Sequence, residues 1–225
     1  MAEKKEDLKK LYSTRFEGDT VLTKKNKVWE TLCKYFLQKY IPSDSKVLDV
    51  AAGYCEFINN INAHEKYAVD LNPDIFEFTN ESVIAVNENI LDEKTTLPKN
   101  YFDIIFISNF LEHLDSKDDV LAVVKKAKML LNNSGRIIIL QPNIRYVGDK
   151  YWDYFDHKTP LTEKSLIELA NILDLDVVHC LKRTIPYTQK SALPTNPLLI
   201  KIYCKMMPLS SIFFGAQCLL ILQKN

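Results

Sequence analysis

A chain of 225 residues with 47% hydrophobic and 26% charged side chains can bury one sizeable core and is too apolar to stay disordered. Lys plus Arg and Asp plus Glu balance at 29 each, so no global positive field exists to gather nucleic acid, and no nucleic-acid partner is expected. The five cysteines, Cys33, Cys55, Cys180, Cys204 and Cys218, are odd in number and lack CxxC spacing, which indicates neither a metal site nor a disulfide framework and fits a reducing cytoplasm.

The first residues, MAEKKEDLKKLY, mix charges and have no apolar stretch of the secretory kind, so a cytoplasmic location is expected. Leu8, Leu11 and Tyr12, then Val28, Leu32, Tyr35, Phe36 and Leu37, recur at helical spacing. Residues 1–45 are therefore predicted as a helical cap, broken at TRFEGD. There Arg15 and Phe16 are placed either to close over a ligand or to serve as a salt bridge and a core anchor.

From Lys46 onward, short β-branched or aromatic runs alternate with helical segments: KVLDV, YAVD, SVIAV, FDIIFIS and RIIIL. That alternation predicts a parallel sheet covered by helices, in one domain over residues 46–225. DDVLAVVKKAKMLL reads as a helix stopped by Gly135, and PNIRYVGDKYWDYFDHKTP as a long aromatic loop of the kind that carries function. TEKSLIELANILD follows with Thr162 and Ser165 as candidate caps, and DVVHCLKR and QCLLIL complete seven strands. An insertion near 184–212 precedes the last strand. Its PLLIKIYCKMMPLSSIFF is too interrupted to span a bilayer, but Lys201 and Lys205 beside its apolar residues make peripheral membrane contact an alternative to packing on the sheet.

VLDVAAGYCEF is the first strand-to-helix turn, the place where open parallel sheets meet their ligands. A pyrophosphate needs several bare backbone amides at close approach, and only Gly53 is bare here. A cofactor without phosphates, such as S-adenosylmethionine, needs less room, and small Ala51 and Ala52 stand beside that glycine. Asp70 follows Gly53 by 17 positions, close to the roughly 20 at which a strand-end carboxylate meets ribose hydroxyls. Its other role would be to cap the turn through Asn72 and Asp74, with Leu71 between. In NENILDEKTTLP, Asn89 or Asp92 is placed to bond an adenine amine and Ile90 to pack on its ring, or all three simply form the turn. FDIIFISNFLEHLD puts Ser108 and Asn109 at the site edge and His113 one turn further. It lacks the NPPY pattern of amino methylation on a flipped base.

VLDVAAGYCEFI, YAVDLNPD, ENILDEKTTLP, FDIIFISNFLEHL and LLNNSGRIIILQPN, over roughly residues 46–143, resemble class I S-adenosylmethionine-dependent methyltransferases in the order and spacing of these pieces. The resemblance implies a Rossmann-like, seven-stranded, mostly parallel sheet with helices on both faces. It also implies S-adenosylmethionine as cofactor, held by Arg15, Phe16, Ala51, Ala52, Gly53, Asp70, Leu71, Asn89, Ile90, Ser108 and Asn109. The flanks LYSTRFEGD, YWDYFDHKTPLTEKSL and PYTQKSALPTNPLLIKIYCKMMP look like a bacterial subgroup met among genes for surface polysaccharides. This likeness implies O-methylation of a sugar or other small-molecule hydroxyl acceptor. The family usually shows glycine where Ala51 stands. A non-catalytic cofactor-binding regulatory module of the same fold is the alternative, and a dinucleotide oxidoreductase is disfavoured by the single glycine.

Methyl transfer from a sulfonium is an in-line displacement, so the protein supplies alignment and a place for the acceptor's proton. His64 in a surface-like HEK and His179 in a strand read as structural. His113 beside Glu112, and His157 after Asp156, lie on segments that border the pocket, with Asp156 placed to orient the His157 imidazole or raise its basicity. Each is equally open to a packing or capping role. Tyr146, Tyr151, Trp152, Tyr154 and Phe155, interleaved with Arg145, Asp149 and Asp153, form either an acceptor floor or local core.

Overall fold

A computed structural model describes residues 19–187 and 196–225; Arg15 and Phe16 lie outside the described residues. Seven strands form one sheet in the order β3-β2-β1-β4-β5-β7-β6. They are β1 (Lys46–Val50), β2 (Glu65–Asp70), β3 (Val83–Asn87), β4 (Phe102–Ser108), β5 (Leu131–Pro142), β6 (Leu175–Leu181) and β7 (Gln217–Lys224). β1 pairs in parallel with β2 and β4, whereas β7 is antiparallel to both β5 and β6. The seven-stranded, mostly parallel, Rossmann-like α/β architecture expected from the alternating runs is thus the one observed.

Both faces of the central strands are buried, as a parallel sheet between helices requires. Leu48, Val50, Ile105, Ile107, Ile137 and Ile139 pack into one layer, and Val47, Ile104, Phe106, Ile138 and Leu140 into the other. The strict alternation follows from the two-residue period of the strand.

The first layer is covered by α4 (Lys117–Leu130) and α6 (Glu163–Ile172). Ser116 Oγ accepts the Asp119 amide at the start of α4, and Thr162 and Ser165 close the expected capping box on α6. The second layer is covered by α1 (Asp19–Leu32), which runs on as a π turn (Cys33–Leu37), and by the short α2 (Glu56–Asn60), while α3 (Ile75–Phe78) and α5 (Ile144–Val147) are single turns after β2 and β5. Trp29 meets Phe106 edge-on at 6.5 Å, and Phe57 stacks on the same ring at 3.7 Å.

One expectation needs correction. α4 ends at Leu130 and the chain enters β5 directly, so Gly135 does not stop the helix. It sits in the strand where a Cβ would fall 2.8 Å from the Phe102 carbonyl oxygen, so close backbone approach is what calls for glycine there. Between β6 and β7 the insertion forms α7 (Pro197–Lys205) and α8 (Met207–Phe214). Asn196 Oδ1 caps α7 by accepting the Leu198 amide, and α7 packs against α1 and the π turn.

Candidate functional site

The strand order reverses between β1 and β4, which opens a crevice at the carboxyl ends of these two strands. The loop leaving β1 into that crevice has a regular backbone: Ala51, Gly53 and Cys55 are all left-handed, with φ of 56°, 54° and 60°. Two of the three carry a Cβ, at a cost of about 1–2 kcal/mol each. The loop has lost glycines without losing the conformation that glycines favour. A Cβ built on Gly53 meets nothing within 4 Å, so the space above it is open.

Asp70 fastens this loop. Its Oδ2 accepts the Gly53 amide at 2.8 Å, and its Oδ1 accepts the Asn72 amide at 2.7 Å. The Ala52 amide also reaches the Val69 carbonyl at 3.2 Å, which draws the β1 loop onto the end of β2. Asn87, the last residue of β3, donates through Nδ2 to the carbonyls of Asp70 and Leu71 at 3.0 and 2.9 Å. Each carboxylate oxygen of Asp70 retains acceptor capacity beyond these bonds.

The crevice is acidic. Asp49, from the middle of β1, is buried, and its carboxyl is pushed well up by burial and then by the charges of Glu56 and Asp70, against one hydrogen bond from the Ile58 amide. Burial also raises Asp70, opposed by bonds from the amides of Asn72, Gly53 and Leu71. Glu56 pairs with Lys25 of α1 at 2.8 Å, and the Lys25 ammonium lies 5.0 Å from the Tyr54 ring. A cation is favoured beside Asp49 and Asp70, and an added anion is opposed.

Asn89 holds its own turn, its Oδ1 accepting the Leu91 amide at 3.0 Å. Ile90 is buried in the layer that holds Val50 and Val69. Asn109 is left-handed at φ 47° and donates through Nδ2 to Ser108 Oγ at 3.0 Å, while its amide joins the Leu140 carbonyl.

Across the crevice, β4 leads into a 3-10 turn (Leu111–His113), and the aromatic loop is strapped onto it. The amides of Lys158 and Thr159 donate to the Glu112 carbonyl at 2.8 and 3.1 Å, and Thr159 Oγ1 to that of Leu114 at 2.7 Å. These bonds bring the three predicted catalytic residues together. His113 Nδ1 lies 3.1 Å from Asp156 Oδ2, and the His113 and His157 rings are 4.9 Å apart.

The two histidines differ. Burial opposes the charged form of His113, but its hydrogen bond to Asp156 and the charges of Glu112 and Asp156 outweigh that and raise its pKa above 6.5. Its side chain keeps 26% of its exposure. His157 is buried, stacked on Tyr154 at 4.9 Å, and its Nδ1 faces the Tyr187 hydroxyl at 3.2 Å. The aromatic loop does not form one floor: Tyr151 is fully buried, Trp152 and Phe155 are exposed, and Tyr146 stacks under Arg183.

Glu112 Oε2, the Tyr151 hydroxyl and both polar atoms of Gln141 are buried with no hydrogen-bond partner among the described residues. Buried polar groups of this kind are rare in folded proteins. Burial and then the Glu112 charge push the Tyr151 hydroxyl up, and burial, with Glu112 a lesser contributor, does the same to Cys218, the ladder partner of Gln141. Glu112, His113 and His157 each place one ligand-type atom within 4.8 Å of the others, the one such grouping among the described residues.

Sequence reasoning missed Asp49, Asn87, Tyr187 and the left-handed Cys55. A lone acid inside the apolar run KVLDV, and the every-second-residue spacing of 51, 53 and 55, were signals for two of them. Tyr187 left none, because its contact spans 30 positions of chain.

Residues 48–139 match the model of a family described as a methyltransferase domain. No curated protein matches the chain. Among solved structures, a SAM-dependent methyltransferase from Archaeoglobus fulgidus is 23% identical and covers 96% of this chain and 98% of its own, with a TM-score of 0.62. A geranyl diphosphate C-methyltransferase from Streptomyces coelicolor A3(2), 14% identical, covers 88% of this chain and 79% of its own at a TM-score of 0.58. An S-adenosylmethionine-dependent methyltransferase from Mesorhizobium loti, 12% identical, covers 84% and 95% at 0.57. These likenesses establish the fold as that of class I methyltransferases.

Proposed function

We propose that the chain is an S-adenosylmethionine-dependent methyltransferase that methylates a hydroxyl of a sugar or other small acceptor. The observation that carries the reading is the acidic crevice whose loop is clamped by Asp70. S-adenosylmethionine has a net positive charge and no phosphate, which suits Asp49 and Asp70; a dinucleotide would set its pyrophosphate among carboxylates. The residues present fit that cofactor. Gly53 offers backbone under open space with Ala51 and Ala52 beside it, Asp70 offers acceptors for ribose hydroxyls, and Leu71, Asn89, Ile90, Ser108 and Asn109 lie at or after the ends of the neighbouring strands.

When bound, the cofactor supplies an electrophilic methyl group on sulfur. The chain's own residues handle the acceptor. His113 takes the hydroxyl proton, and Asp156 holds the ring at Nδ1 so that Nε2 is directed away from the pair. His157, walled by Tyr151, Tyr154 and Tyr187, packs against His113 and fixes that ring's place.

The test is label transfer from S-adenosylmethionine carrying a radioactive methyl group onto a panel of hydroxylated sugars. Transfer that disappears in His113→Gln supports the reading. Cofactor binding with no transfer to any hydroxyl, but transfer to an amine or carbon acceptor, overturns the O-methylation assignment.

A further inference from the structure

The formal charge of the chain is balanced overall but not along its length. After Asp176 no acidic residue occurs, while Lys182, Arg183, Lys190, Lys201, Lys205 and Lys224 do. Within this basic tail, α7 and α8 have two contrasting faces. Cys204, Met207 and Ser211 are buried against the domain. On the outer side Leu198, Ile202, Met206, Leu209 and Phe213 recur every three or four residues, and all are exposed, Leu198 and Leu209 by 62% and Phe213 by 75%. Each helix therefore carries an exposed apolar stripe where a surface helix would carry polar residues.

Basic side chains border the stripe on α7. Lys201 of α7 and Lys34 of the π turn lie 5.1 and 5.6 Å from the same Tyr35 ring, and Lys205 ends α7. Among the described residues no helix is long and apolar enough to cross a membrane. An exposed apolar stripe flanked by lysines is instead the pattern of a helix that lies in the plane of a bilayer surface.

We infer that α7 and α8 form a docking surface for an anionic lipid bilayer, with their apolar residues at the acyl boundary and Lys34, Lys201 and Lys205 among the headgroups. Lipid phosphates provide the negative charge that the tail lacks. A second copy docked about a two-fold axis would set Lys201 and Lys205 near their own counterparts, with no acidic residue after Asp176 to offset them. α7 packs on α1, whose Lys25 pairs with Glu56 beside the cofactor loop, so the docking face and the crevice are joined through one helix. This inference stands on the patch alone and does not need methyl transfer. Together with the proposed function it points to an acceptor carried on a lipid.

The experiment is sedimentation of the full chain with vesicles of phosphatidylcholine alone and of phosphatidylcholine with phosphatidylserine, at low and high salt. Binding is expected on the anionic vesicles, at least tenfold weaker on the neutral ones, and reduced by salt. The double variant of Phe213 and the neighbouring Ile212, itself 55% exposed, Ile212→Ser with Phe213→Ser, is expected to lose it, and Lys201→Ala with Lys205→Ala to weaken it about fivefold per lysine. Both variants should bind S-adenosylmethionine as the unaltered chain does, which checks that they fold. A chain that stays in the supernatant with anionic vesicles at low salt overturns the inference. So does a dimer dispersed by the Ile212, Phe213 variant without any vesicle binding.

Discussion

The two sides of the crevice are built from different material. The cofactor side is made around the backbone: alternate left-handed residues after β1, the Gly53 amide on the Asp70 carboxylate, and the Asn87 side-chain Nδ2 on the backbone carbonyls of Asp70 and Leu71. The acceptor side is made by side chains from distant segments, His113 with Asp156 across 43 positions and His157 with Tyr187 across 30. Backbone geometry survives side-chain change, which is how Ala51 and Cys55 stand in left-handed positions. A site assembled from loops can change its specificity without disturbing the sheet that holds the cofactor.

The largest test of this contrast is a pair of substitutions. His113→Gln should lower kcat by about 10²- to 10⁴-fold and leave S-adenosylmethionine affinity within about twofold, because His113 takes no part in the β1 loop. Asp70→Ala should do the opposite to binding. It removes the ribose acceptor and the loop clamp together, and affinity measured by calorimetry should fall about a hundredfold, or about 2.8 kcal/mol. If both variants lose cofactor binding alike, the two sides are not separate.

The pH dependence sharpens the same division. His113 acts as a base only when neutral, and its pKa is raised above 6.5, so the acidic limb of the kcat profile should lie above the ordinary histidine range. Asp156→Asn should move that limb to lower pH, and an unmoved limb would deny the pairing a role. The pair also stabilises the fold. That contribution is complete below pH 6.5 and is lost as pH rises through the raised value, so thermal melts of Asp156→Asn should converge on those of the unaltered chain at alkaline pH. Cofactor affinity should respond in the acid range, falling as pH drops through the raised pKa of Asp70.

The smallest effect concerns the loop itself. Ala51→Gly and Cys55→Gly each relieve a left-handed Cβ, and each should stabilise by about 1 kcal/mol, raising Tm by about 2–4 °C. A drop in Tm would mean that the loop is held by the buried Cys55 side chain rather than by its backbone.

The cofactor side was legible in the sequence because its parts are local. A buried strand, a turn with small residues and an acid 17 positions on lie in adjoining strands, so spacing alone carries the geometry. The seven strands and the capping box of α6 were readable for the same reason. Gly135 was misread because a close approach to the Phe102 carbonyl has no signature of its own. The aromatic loop was only half readable. Its composition announced importance, but nothing in YWDYF distinguishes fully buried Tyr151 from Phe155, which is 96% exposed; that choice is made by the bonds that strap the loop to Glu112 and Leu114. Asp49 hid in plain view, since an acid inside an apolar strand gains its meaning from Glu56 and Asp70 nearby.

The central claim is that this crevice admits a positively charged nucleoside cofactor and rejects a phosphate-bearing one. Titration calorimetry of the full chain with S-adenosylmethionine and, separately, with NAD tests it most directly. Saturable heat with the first and none with the second is the predicted result. Binding of NAD in place of S-adenosylmethionine would contradict it.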